Sequence, residues 1–112
     1  MNLNGRVAVV TGGSRGIGRA AVQCFAKLGA HVVVNYLHDD QAANQAIAEA
    51  EALNVGALAV QADVSQKGDA QRLIDATMRK FDRIDFLVCN AGIWEGAPID
   101  QMTEEIWNRT ID

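Results

Sequence analysis

The chain has little of what would fix its shape covalently or tie it to a charged partner. Only one proline and two cysteines occur among its 112 residues, and two cysteines cannot make a disulfide framework. Cys24 falls on the apolar face of a predicted helix and Cys89 within an apolar strand, so both are expected as buried free thiols. Cations are not in excess: ten Lys and Arg stand against fourteen Asp and Glu, a net charge of −4. They are scattered rather than clustered, which leaves no footprint for nucleic acid. No apolar run approaches the roughly 20 residues needed to span a bilayer. The first six residues lack the apolar core of a signal peptide, so a cytoplasmic location is the default expectation. No linker, internal repeat or low-complexity segment divides the chain, no metal site is expected, and its length suits one domain.

What the chain does have is concentrated in residues 7–18. Val7, Ala8, Val9 and Val10 read as a strand buried on both faces. Gly12, Gly16 and Gly18 follow in a Gly-x-x-x-Gly-x-Gly spacing, and helical periodicity starts at once. Ile17, Ala20, Ala21, Cys24, Phe25 and Leu28 recur at three- and four-residue steps, placing them on one predicted face, and Gly29 closes the helix. A strand, a glycine turn and a helix start form a device for holding phosphate. The first N–H groups of a helix have no partners inside it, and the helix dipole favours an anion there. Gly12 permits the tight exit from the strand, Gly16 removes a Cβ where a diphosphate would approach, and Gly18 lets the helix pack closely. A P-loop is excluded because Arg19 and Ala20 stand where Lys and Ser or Thr would be needed.

Further along, residues 31–36 read as a second strand. An Asp at position 39 or 40 suits the start of a helix over 40–54, with Ala43, Ala46, Ile47, Ala50 and Leu53 as its apolar stripe. Residues 57–61 form a third predicted strand. Ser65 is the expected cap of a helix whose face carries Ala70, Leu73, Ile74, Thr77 and Phe81. Residues 84–89 make a fourth strand, Asn90, Ala91 and Gly92 a turn, and residues 93–102 a loop. Thr103, followed by Glu104 and Glu105, starts a last helix. Strands alternating with helices predict an α/β domain with a parallel sheet, right-handed crossovers and helices on both faces.

Three stretches then carry a resemblance. Residues 11–18 (Thr-Gly-Gly-Ser-Arg-Gly-Ile-Gly), Asp63-Val64 and Asn90-Ala91-Gly92 resemble, in order and separation, the short-chain dehydrogenase/reductase family. Its β-ketoacyl-ACP reductase-like and sugar or carbonyl reductase-like members are the most similar. The resemblance implies a Rossmann-type sheet of order 3-2-1-4 that binds NAD or NADP at the carboxyl ends of its strands. It implies that Gly12, Gly16 and Gly18 line the pyrophosphate and that Ser14, Arg15 and Ile17 add loop contacts. Asp63 would accept the adenine amino group with the Val64 N–H nearby, and Asn90, Ala91 and Gly92 would lie beside the ribose. The blander readings are a helix cap for Asp63 and a plain turn for Asn90. At the end of the second strand, where a carboxylate would favour NAD, stand Asn35 and Tyr36. Arg15 could offer its fork of donors to a 2′-phosphate, so NADP is the expected cofactor and NAD the alternative. Arg15 as a solvated loop charge and His38 as a plain surface histidine are the competing readings.

The family's reaction is hydride transfer between nicotinamide and a carbonyl or alcohol, served by a Ser and a Tyr-x-x-x-Lys motif. Here the one tyrosine, Tyr36, is followed four residues later by Asp40, and the two serines, Ser14 and Ser65, belong to the loop and a cap. No residue can be assigned a catalytic role. Because the chain stops within a predicted helix, residues 1–112 are expected to be the dinucleotide-binding half of a longer oxidoreductase. The resemblance implies a small-molecule substrate, with Gly92, Ile93 and Trp94 near the mouth of its pocket. It also implies a homo-oligomer contacted through the helix of Ile106 and Trp107. A stand-alone nucleotide-binding module without turnover, and an assembly fragment that binds nothing, remain alternatives.

Overall fold

A computed structural model describes residues 2–14, 16–89 and 92–95, the last four by their backbone. Strands β1 (Val7–Val10), β2 (His31–Tyr36), β3 (Ala57–Gln61) and β4 (Phe86–Cys89) alternate with helices α1 (Gly16–Lys27), α2 (Asp40–Glu51) and α3 (Lys67–Phe81). The four strands are parallel and lie in the order β3-β2-β1-β4, as expected. Side chains alternate across the sheet with period two. Val7, Val9, Val33 and Leu87 meet Leu73 and Ile74 of α3 on one face. Val10, Val32 and Val34 meet Val22 and Ala26 of α1 and Ala46 and Ala50 of α2 on the other. Both faces being covered explains why β1 reads as a continuous apolar run.

Chain direction dictates this arrangement. The steps β1–α1–β2 and β2–α2–β3 move the same way across the sheet, so right-handed crossovers put α1 and α2 on one face. The step β3–α3–β4 returns past β1, and the same handedness puts α3 opposite. The reversal opens a crevice at the carboxyl ends of β1 and β4.

Several expectations are corrected. A fifth strand, β5 (Gly92–Glu95), runs antiparallel along β4 with Cys89 opposite Gly92 and Phe86 opposite Glu95. It replaces the first part of the loop expected from residue 93. Only two residues separate Cys89 from Gly92, and so short a connection joins antiparallel strands alone. Strand β4 begins at Phe86 rather than Ile84, and α2 ends at Glu51 rather than Asn54. On α1, Ile17, Ala20 and Cys24 are exposed, Ile17 at 90%. The buried face instead runs through Val22 and Ala26, with Gly18, Ala21 and Phe25 half-buried. Gly18 sets this rotation: a Cβ there would run into the Gly12 carbonyl, 2.8 Å from its carbon, so the helix seats its glycine against the loop. Cys89 is buried as expected. Arg15, Asn90, Ala91, residues 96–112 and thus the helix expected from Thr103 lie outside the described residues.

Helix α2 is capped by Asp39, whose Oδ1 accepts the Ala42 N–H at 2.9 Å. Replacing Asp39 by Ala should cost about 1 kcal/mol, read as a fall of roughly 4–8 °C in melting temperature. An unchanged midpoint would mean that the cap adds nothing. By contrast α3 starts after Gln66 without a side-chain cap, and Ser65 does not serve as one.

Candidate functional site

The loop from β1 to α1 is held from three sides. Thr11 donates both its N–H, at 2.9 Å, and its hydroxyl, at 3.3 Å, to the Val88 carbonyl, which locks the end of β1 to β4. The Gly12 N–H donates to Asn35 Oδ1 at 3.3 Å and the Gly13 N–H to the Asn35 carbonyl at 2.9 Å. Beneath the loop, a Cβ on Gly13 would lie 3.1 Å from the Val10 carbonyl oxygen and 3.2 Å from Val22 and Val34 methyls. Ser14 is buried beside it.

The opposite side of the loop is open. Gly12 and Gly16 have φ of +63° and +59°, and a Cβ on either would meet nothing within 4 Å. Among the described residues, no hydrogen bond joins the Gly16, Ile17 or Gly18 N–H to a backbone group outside the helix. Two open glycines, unpartnered first-turn donors and the positive end of α1 make a cradle shaped and charged for an anion. Gly13 was not singled out from the sequence as a packing position. Only its place next to Gly12 hinted at it, because the close approach involves Val22 and Val34 of other elements.

At the end of β2 the expected rim residues divide. Asn35, expected at the cofactor, is 3% exposed and sits behind the glycine loop with its amide engaged inside the protein. Tyr36 is half-buried; a hydrogen bond to the Asp40 carboxylate, then burial, raises its phenol pKa above the ordinary value. Asp39 is occupied by its cap, and His38 is exposed.

At the end of β3, Asp63 Oδ1 accepts both the Ser65 hydroxyl, at 2.6 Å, and the Ser65 N–H, at 3.1 Å. Ser65 thus serves Asp63 rather than capping the helix. Those two bonds from Ser65, with the nearby charge of His38, hold the carboxyl below its usual range against a small opposing effect of desolvation. The Asp63 N–H donates to Asp69 Oδ2 at 2.8 Å, a partner that sequence reasoning missed. An Asp six residues on, in the first turn of the next helix, was the available signal. Val64 follows, half-buried. Gly92 opens β5 beside Cys89 of β4.

The structure thus brings Gly12, Ser14, Gly16, Ile17 and Gly18 into one turn, and sets the Asn35–Tyr36 and Asp63–Val64 pairs at the same carboxyl edge of the sheet. A separate groove of about 330 Å³ between α1 and α2, lined by Val22, Ala26, Ala46, Glu49, Ala50 and Leu53, includes no cradle residue. Among the described residues no group of His, Cys, Asp or Glu is placed to hold a metal ion.

Comparison with known proteins agrees with this geometry. The family model described as short chain dehydrogenase matches residues 6–112. An uncharacterized oxidoreductase of Methylorubrum extorquens is 46% identical over 110 residues, covering 98% of this chain and 44% of that protein. A 3-oxoacyl-[acyl-carrier-protein] reductase of Synechocystis is 44% identical, with the same 98% and 44% coverage. A 3beta-hydroxysteroid dehydrogenase 1 of Eggerthella lenta is 40% identical over 99% of this chain and 42% of its own length. The chain therefore spans less than half the length of these relatives.

Proposed function

Because this chain belongs to the short-chain dehydrogenase family, we propose that it is the cofactor-binding half of an NADP-dependent oxidoreductase. The complete protein moves hydride between the nicotinamide and a small-molecule carbonyl or alcohol. The observation that carries the reading is the open cradle at the start of α1, where Gly12 and Gly16 leave room above the loop. Family members use nicotinamide cofactors, and the residues present fit the diphosphate of one. The bound nicotinamide would supply or accept the hydride; the work of this chain's residues is binding and orientation.

In this proposal Gly12, Gly16 and Gly18 line the diphosphate, Ser14, Arg15 and Ile17 complete the loop, and Asp63 and Val64 receive the adenine. Tyr36 borders the adenosine ribose, and Asn90, Ala91 and Gly92 border the nicotinamide side. NADP is favoured over NAD because Arg15 can fork onto a 2′-phosphate. The nearby Asp39 carboxylate is also committed to its cap. The relatives' names, a 3-oxoacyl reductase and a hydroxysteroid dehydrogenase, support the carbonyl or alcohol class. A homo-oligomer contacted through Ile106 and Trp107 and a cytoplasmic location belong to the same proposal. No helix among the described residues is long and apolar enough to cross a membrane.

The test is titration with both cofactors. NADP should bind more tightly than NAD, and Arg15→Ala should weaken NADP by about tenfold to a hundredfold, the value of a charge-assisted phosphate contact. NAD affinity should be unchanged by it. Tighter NAD binding that ignores Arg15→Ala would overturn the preference for NADP.

A further inference from the structure

We propose that Asn35 is a positioning residue, a buried strut that sets the glycine loop in its anion-accepting shape without touching the cofactor. The inference rests on the nucleotide-binding reading and goes beyond it. An asparagine side chain offers one carbonyl acceptor and two N–H donors. Here each is used: Oδ1 accepts the Gly12 N–H at 3.3 Å, and Nδ2 donates to the Val60 carbonyl at 3.3 Å and the Ala62 carbonyl at 3.0 Å. The backbone carbonyl of the same residue accepts the Gly13 N–H at 2.9 Å. With the side chain 3% exposed, an incoming ligand finds no polar atom of it to contact.

What these bonds join is specific. Val60 lies on β3 opposite Asn35, and Ala62 immediately precedes Asp63. The amide therefore reaches across β2 and fastens the loop leaving β1 to the end of β3. Gly12 is the link most in need of a restraint, since it sits at φ +63° with no side chain and glycine has the widest backbone freedom. Its N–H is turned inward onto Oδ1, which leaves the outer side of the loop clear. No other side chain of this size does the same work. Aspartate would set a carboxylate against two carbonyl oxygens, leucine would leave the Gly12 N–H without its acceptor, and serine is too short to serve both strands. This also accounts for a polar residue within the apolar run of β2.

The consequence separates two parts of a nucleotide. A diphosphate sits on the glycine loop and depends on the strut; an adenosine without phosphates rests toward the end of β3, which the bond from the Ala62 N–H to the Tyr36 carbonyl still holds, and depends on it far less. The experiment measures dissociation constants of ADP and of adenosine for the protein and for Asn35→Ala, which removes the acceptor of the Gly12 N–H without adding a charge near the phosphates, by calorimetry, at a temperature where circular dichroism shows both folded. ADP should weaken by roughly tenfold or more while adenosine stays within about threefold, so the ratio of the two affinities collapses. A merely structural asparagine would lower the melting point and leave that ratio alone, which would overturn the inference while the nucleotide-binding reading stands. If the unaltered protein binds neither ligand, both fall together. Should Asn35→Ala not fold, Asn35→Ser enters the same pair of titrations. Independently, amide exchange in the unaltered protein must show the Gly12 N–H protected; exchange at the rate of an open loop refutes the strut.

Discussion

Replacing Gly18 by alanine is expected to abolish dinucleotide binding and to lower the melting temperature by roughly 5–20 °C. The added Cβ would run into the Gly12 carbonyl oxygen and stand 2.8 Å from its carbon and 3.1 Å from the Gly13 Cα. These neighbours are backbone, so no rotamer change can relieve the contact; the loop or the start of α1 must shift. Overpacking of this kind costs about 1–3 kcal/mol, which in a domain of this size gives the stated fall. Binding suffers more than stability, because the displaced atoms are the cradle itself, and sub-ångström placement decides how well N–H groups reach a diphosphate. The same substitution at Gly68, on α3, meets nothing within 4 Å. There it should raise stability by about 0.5–1 kcal/mol, through the reduced freedom of the unfolded chain. Thermal unfolding and NADP titration of the two variants make the comparison. A Gly18→Ala protein that binds NADP as well as the parent would refute the close-approach account.

The second large effect lies at the other end of the sheet. Asp85, 7% exposed, accepts the Val7 N–H at 2.8 Å and is gripped by Arg83 through Nε at 2.8 Å and Nη2 at 2.7 Å. Its own N–H donates to the Val7 carbonyl at 2.9 Å, and Arg6 stands 3.9 Å away. Asp85→Ala would leave a buried strand N–H without an acceptor where β1 and β4 begin. We expect a loss of about 2–4 kcal/mol, a large share of a marginal domain's stability. Most of it comes from the Val7 N–H, since Arg83 is half exposed and an exposed ion pair adds at most about 1 kcal/mol.

The same carboxylate gives the protein an acid dependence. Burial pushes the Asp85 carboxyl up, but the Arg83 guanidinium, the Val7 N–H and the charge of Arg6 together outweigh it and hold its pKa below the ordinary value. A group whose folded-state pKa is depressed stabilises fully above its unfolded pKa and loses that contribution as pH falls. Urea midpoints of the protein and of Asp85→Asn should therefore differ most at neutral pH and draw together below about pH 4. A gap that widens in acid would reverse the sign and refute the assignment.

The course of the chain was legible because it follows from local periodicity. β1, β2 and β3 came out at their observed bounds, since runs such as Val32, Val33 and Val34 suit only a strand covered on both faces. The start of α2 was readable from its acidic cap, and the glycine spacing announced a phosphate-type turn. The sheet order came from the family resemblance, to which handedness adds the placing of α3 opposite α1 and α2. The face of α1 misled: Ile17, Ala20 and Cys24 keep a helical spacing yet lie outward, because Gly18 must meet Gly12 and so turns the helix. β5 was missed because pairing across a two-residue connection depends on where β4 leaves an edge, which no local pattern encodes. Ser65 did not become the expected cap because its hydroxyl serves the Asp63 carboxylate two residues before it.

By itself the sequence determined the alternation of elements, the family and the presence of a glycine turn at the start of α1, all properties written in residues close together along the chain. Only the tertiary structure decided that Asn35 points behind the loop rather than at the rim, which way α1 faces, and that a buried Asp85 ties β1 to β4. The placing of Asn35 and of Asp85 depends on partners roughly 20 to 80 positions apart, and the face of α1 on how Gly18 meets the Gly12 carbonyl. Hydrogen bonds and close contacts between such residues are set by how folded elements meet, and no sequence period records that meeting.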